Sequence, residues 1–189
     1  VMYIGNNPSA LRSQQELSQA LLSLMQQYTF QEVTITMICQ EAQLSRQTFY
    51  QMFTSKEDAI RFLIRASYEQ FENELRQYGK LTVAQLAEYT FLFFDRNRDF
   101  VTLLLHNHLH FLLLEEFQSV LPHVVTMSLN SSEAIQDHAV LSFLSGGLCS
   151  MILYQIEHQT QAQAHQSAIA FSRLFGENAI TLQTGGTIS

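Results

Sequence analysis

Two prolines, seven glycines and two cysteines in 189 residues leave little material for turns and crosslinks. So few turn formers argue against a β architecture and make helices the default. Cys39 and Cys149 sit in apolar helical stretches and read as buried, reduced thiols of a cytosolic protein. Positive charge is also scarce, with ten Lys and Arg against seventeen Asp and Glu, a formal charge of −7. Through residue 65, five basic side chains (Arg12, Arg46, Lys56, Arg61, Arg65) meet five acidic ones (Glu16, Glu32, Glu41, Glu57, Asp58), so this segment has no net charge. The whole negative excess falls on the remainder, which argues against contact with nucleic acid there.

The chain has no Gly-rich phosphate loop, nucleophile–base pattern, paired-cysteine metal motif or internal repeat, so neither an enzyme nor a cofactor is expected. Val1 to Ala10 lacks the charged start and apolar run of a signal peptide. The greasiest stretch, Phe100 to Leu114, is interrupted by His106, Asn107, His108 and His110 and is too short to span a bilayer. These features point to a cytoplasmic protein with no membrane partner.

What the sequence does contain is helical pattern. Leu17, Leu21, Leu24, Met25 and Tyr28 form one stripe, predicting a helix over about Leu11 to Gln27. Thr34 is placed to cap a short helix with Ile35, Ile38, Cys39 and Ala42 on its buried side. Gln43 and Leu44 make a turn, and Ser45 caps a second short helix, Arg46 to Met52. Ser55, with an acid three residues on at Asp58, starts a third that keeps its stripe to Tyr78 and stops at Gly79. Two short helices joined by a tight turn can lay the second in a DNA major groove. Arg46 and Gln47 suit guanine and adenine edges, with Ser45 and Thr48 beside them; Tyr50 and Lys56 suit phosphates, and Thr34 and Thr36 flank them.

Residues 11–60 resemble the DNA-binding domain of the TetR family, the tetracycline-repressor-like regulators, in a subgroup common in low-GC bacteria. Ala20-Leu21-Leu22, Phe30, Thr34, Ile38, Ala42, Ser45, Thr48-Phe49-Tyr50, Phe53 and Lys56-Glu57 fall at the family's spacing without a gap. Three features depart from it. Gln43 stands where the family usually has Gly and must accept an unusual backbone angle or shift the turn. Residues 1–13 hold one basic side chain, Arg12, where many relatives carry an arginine-rich arm. The segment is also less basic than a protein with many phosphate contacts.

Beyond residue 66 the resemblance is one of architecture only. Leu81 to Asn97 predicts a helix rich in aromatics; Phe100 to Phe117 predicts another, broken near the histidines. Neither proline interrupts a strong helical pattern on this reading. His106 and His110, four apart, share a face if the helix is continuous, and Glu115 or Glu116 could join them at a metal. Polar pocket lining or solvent exposure is the preferred reading, and no metal site is expected. The candidate effector pocket is Phe91, Phe94, Leu104, His106, His110, Phe143 and Met151. Ser132 is the candidate cap of a helix from Glu133 to His158, apolar nearly all round, in which Ser142, Gly146 and Ser150 recur every four residues. A last helix spans Ala164 to Phe175, and Thr181 to Ser189 reads as a tail. In the TetR family the last two long helices form a dimer interface, which the resemblance assigns here to Ser142, Gly146, Ser150, Leu153, Ile169 and Ser172.

The expectation is therefore an all-α chain with a three-helix helix-turn-helix domain over residues 1–54, a helical effector-binding and dimerisation domain over 55–180, and a tail over 181–189. The resemblance implies a homodimer that binds a double-stranded DNA operator and responds to an unidentified small-molecule effector, with repression the family's commoner habit. The alternative is a ligand-sensing adaptor that keeps the fold, has lost DNA binding and acts through a partner protein.

Overall fold

The computed structural model describes Tyr3, Gly5 and residues 7–129, 137–158 and 163–174. Among the described residues the regular elements are helices: α1 Pro8–Met25, α2 Ile35–Glu41, α3 Arg46–Met52, α4 Lys56–Leu75, α5 Val83–Arg96, α6 Arg98–His106, α7 His110–Ser128, α8 His138–His158 and α9 Gln163–Leu174. The fold is all-α, with a helix-turn-helix near its N-terminus. The expected cap at Ser132, the helix end at Phe175 and the tail lie outside the described residues. The chain divides into two compact units: Val1–Gln70 with Leu103–Glu116, and Phe71–Thr102 with Phe117–Ser189.

In the first unit α1 begins earlier than its stripe, because Asn7 accepts the N–H of Ser9 and Pro8 fills the first turn, where its missing donor is harmless. Leu17, Leu21, Leu24 and Met25 are buried, but Tyr28 falls in the turn beyond Met25 and is exposed, so it is not part of the stripe's core. Phe30, Val33, Ile38, Phe49, Phe53, Ile60 and Ile64 complete this core. Burying each such side chain contributes roughly 1.5–3 kcal/mol. The Oγ of Ser55 accepts the N–H of Asp58 at 3.3 Å and the Asp58 carboxylate accepts that of Thr54 at 3.0 Å, so a reciprocal cap starts α4. Its 20 residues run about 30 Å.

The predicted break near the histidines is real and separates α6 from α7. His108 is left-handed (φ 58°), its N–H bonds the carbonyl of Leu105, and that of Leu109 bonds Leu104. His106 and His110 therefore belong to different helices, and the shared face expected of a continuous helix does not form. Arg61 and Arg65, one turn apart on α4, both reach the buried carboxylate of Glu116 (3.1 and 2.7 Å), and Arg61 also pairs with Glu115.

In the second unit Thr82 and Gln85 form a reciprocal capping box at the start of α5. Lys80 donates to the carbonyls of Thr126, Met127 and Leu129, closing the C-terminus of α7 with a cation. Pro122 lies inside α7, contrary to the sequence expectation. It cannot donate to the carbonyl of Gln118, a defect worth about 3 kcal/mol in an isolated helix, and Leu121, Val124 and Val125 stay buried around it. The buried side of α8 carries Leu141, Leu144, Leu148, Cys149, Ile152 and Ile156. By length and composition alone α8 could cross a membrane, yet 44% of its most apolar window is buried within the protein.

Candidate nucleic-acid interface

The helix-turn-helix is built by three local devices. Thr34 accepts the N–H of Met37 at 3.2 Å and so starts α2. At the other end of α2, Gln43 adopts φ 54°, its N–H bonds the carbonyl of Gln40, and the N–H of Leu44 bonds that of Cys39. This paired closure needs a left-handed residue, a place where glycine costs least. Gln43 thus accepts the unusual angle, at about 1–2 kcal/mol. Ser45 then accepts the N–H of Thr48 at 3.0 Å, and their hydroxyls lie 2.9 Å apart. Phe49, fully buried, and Met52 fix α3 to the core.

With Phe49 turned inward, Arg46, Gln47 and Tyr50 stand exposed on the opposite side of α3, and Thr34 and Thr36 are exposed at the start of α2. The Tyr50 ring meets Phe49 edge-on, with centroids 5.6 Å apart, and remains 54% exposed. Ser45 and Thr48 are largely occupied with each other. Lys56 is differently engaged: its ammonium donates to the carbonyls of Phe30 (2.5 Å) and Val33 (2.6 Å) and sits 4.4 Å over the Phe30 ring. Burial lowers its affinity for a proton, partly offset by Glu57. It ties down the loop before α2.

The same loop has a second tie that the sequence did not reveal. Asn107, at the break between α6 and α7, accepts the N–H of Phe30 at 2.7 Å while its amide donates to Leu103. Arg12 pairs with Glu16, and Arg61 and Arg65 with Glu115 and Glu116. Among the described residues of the first 65, Arg46 is the cation without an ion pair or carbonyl partner. It lies close enough to Cys39 to oppose the rise that burial gives that thiol.

Residues 17–60 match the family described as bacterial regulatory proteins, tetR family. Residues 17–60 are a TetR-family N-terminal domain. It superposes on the structure of Lin0861 from Listeria innocua with a TM-score of 0.76 at 12% identity, covering 92% of this chain and 94% of that one, a likeness of fold. A weaker match, TM-score 0.49 at 16% identity over 86% and 92% of the two chains, is the TetR family repressor AlkX from Dietzia sp. strain DQ12-45-1b, implicated in biodegradation of n-alkanes. Among curated proteins, none matches this sequence. The TetR-type head is thus recognised by its residues.

The second unit holds a narrow apolar cavity walled by side chains that include Phe71, Leu86, Thr90, Phe117, Leu144 and Phe171. None of the seven residues expected at an effector pocket lines it. Phe91 and Phe94 are buried on the neighbouring face of α5; Phe143 is 66% exposed, and Met151 borders a shallow surface groove with Tyr154 and Ser167. Leu104, His106 and His110 belong to the first unit, where Leu104 is buried and His106 exposed. The positions that do line it on α5, Val83, Leu86, Ala87 and Thr90, follow a helical stripe, with Thr90 its one polar member.

Of the residues expected at a dimer interface, Ser142, Ser150 and Ile169 are exposed and Gly146 and Leu153 half-buried; Ser172 lies on α9, its side chain outside the described residues. Phe143, Gly147, Ser150 and Tyr154 form an exposed stripe along α8. A Cβ added at Gly146 or Gly147 would meet nothing within 4 Å.

Proposed function

We propose that this chain is a homodimeric DNA-binding transcriptional regulator of the TetR type, a repressor by the family's habit, whose grip on an operator is set by a small-molecule effector. The observation that carries this reading is the exposure of Arg46, Gln47 and Tyr50 on one side of α3 while Phe49 anchors its other side in the core. Arg46 and Gln47 read base edges, Tyr50 and Thr36 meet the backbone, and Thr34 and Ser45 hold the two helices in place. The exposed stripe of α8, with Ile169 of α9, supports a second copy as the covering partner, because large apolar groups and open glycines alternate there. The cavity of the second unit supports the effector. Phe71 on its wall and Lys56 at the head belong to one helix, so an effector that moves α4 alters the spacing of two reading heads that must meet half-sites about 34–36 Å apart or at multiples of that.

One observation favours the adaptor reading: most of the head's cations are spent on carboxylates or carbonyls within the fold. Selection of genomic fragments by the purified protein at low and moderate salt separates the two. Enrichment of a near-palindrome supports the regulator. No enrichment at either salt supports the adaptor, since electrostatic binding is strongest at low salt.

A further inference from the structure

Among the described residues of the second unit, thirteen side chains line the cavity, and twelve are hydrocarbon; the other is Thr90. We propose that this slot is the effector site and that its ligand is an uncharged, slender hydrocarbon bearing one hydroxyl that donates to Thr90, a medium-chain alcohol in chemical class. The assignment rests on the effector-responsive reading above.

Charge comes first. Among the described residues no Lys, Arg, His, Asp or Glu lines the slot, so an ionised ligand entering it would leave water without gaining a partner. Shape comes second. The walls bound about 540 Å³ of space including the mouth, but Phe71, Phe117 and Phe171 crowd it so closely that room remains for about three waters. A linear chain can part these side chains one at a time, whereas a bulky polycycle has to push α5, α7, α8 and α9 apart together. The hydroxyl comes third. Thr90 is buried, and its Oγ donates to the Leu86 carbonyl at 2.7 Å. A threonine hydroxyl has one proton and two lone pairs, so with that proton committed it offers the slot an acceptor only. A ligand hydroxyl satisfies it; a ketone or ester oxygen does not.

The test uses the full chain without DNA and the neutral, rod-like fluorophore 1,6-diphenyl-1,3,5-hexatriene, displaced by 1-decanol, 2-undecanone, decanoate or decyltrimethylammonium below their micelle concentrations. We expect 1-decanol to displace best, with the two ions at least about tenfold weaker. Equal or stronger displacement by either ion overturns the proposal. Thr90→Val should retain the fluorophore and lose the preference for decanol over undecanone; a preserved preference overturns the role of Thr90. Ala87→Phe should fill the slot and abolish fluorophore binding, and retained binding by that variant places the probe elsewhere and overturns the site. If Ala87→Phe does not fold, Thr90→Val and the ligand series still decide. Operator binding is measured separately. Decanol that binds at Thr90 without changing operator affinity supports the ligand class and overturns its regulatory role, whereas intact operator binding with no decanol binding overturns the ligand class and leaves the DNA-binding reading standing.

Discussion

Asn107 accepts the backbone N–H of Phe30 at 2.7 Å, across 77 positions of sequence. Both residues are buried, and with Lys56 this bond fixes the loop that positions α2 and, through it, α3. Asn107→Ala leaves a buried N–H unsatisfied and should lower stability by about 1–3 kcal/mol in urea unfolding. An unchanged unfolding midpoint would show that water replaces the bond.

Two left-handed residues carry avoidable strain. Gln43→Gly and His108→Gly keep the paired helix closures while removing the Cβ clash, so each should stabilise the protein by about 1 kcal/mol. Thermal melts of the two single variants check this. A fall in melting temperature would mean that the side chain contributes more than the backbone angle costs.

The stripe on α8 predicts association. Phe143→Glu combined with Tyr154→Glu places four like charges in a two-fold contact and should give a monomer in sedimentation, with helicity unchanged. A dimer that survives this pair assembles through another face.

Burial pushes the Cys149 thiol up from 9.0 to about 11. Well below pH 9 the thiol is protonated in both folded and unfolded chains and contributes no pH dependence. As pH rises from 9 toward 11 the unfolded chain ionises first, so stability falls, by about 1 kcal/mol near pH 10. Comparing urea midpoints of the wild type and Cys149→Ala between pH 8 and 10 checks the sign, since the variant should fall less steeply.

The helix-turn-helix was legible because its determinants are local. Thr34 and Ser45 cap neighbouring amides, the buried residues follow one period, and Gln43 sits where the closure demands φ above zero. The ties of Asn107 to Phe30 and of Arg61 and Arg65 to Glu116 span tens of residues and leave no periodic trace. For the same reason the return of Leu103–Glu116 to the first unit was not readable. The cavity was missed through phase: aromatic density drew attention to Phe91 and Phe94, while the lining face of α5 is the stripe ending at Thr90. A lone buried threonine on that stripe was the available signal.

The most direct measurement is the affinity of four single variants for the selected palindrome and for the same site with its half-sites scrambled. Arg46→Ala and Gln47→Ala should keep wild-type unfolding midpoints, each losing about 1–3 kcal/mol on the palindrome and less on the scrambled site. Tyr50→Ala should weaken both sites alike, and Lys56→Met should weaken both while also lowering stability, because its ammonium holds the Phe30 loop. If Arg46→Ala and Gln47→Ala leave palindrome affinity and preference unchanged, α3 is not the reading helix.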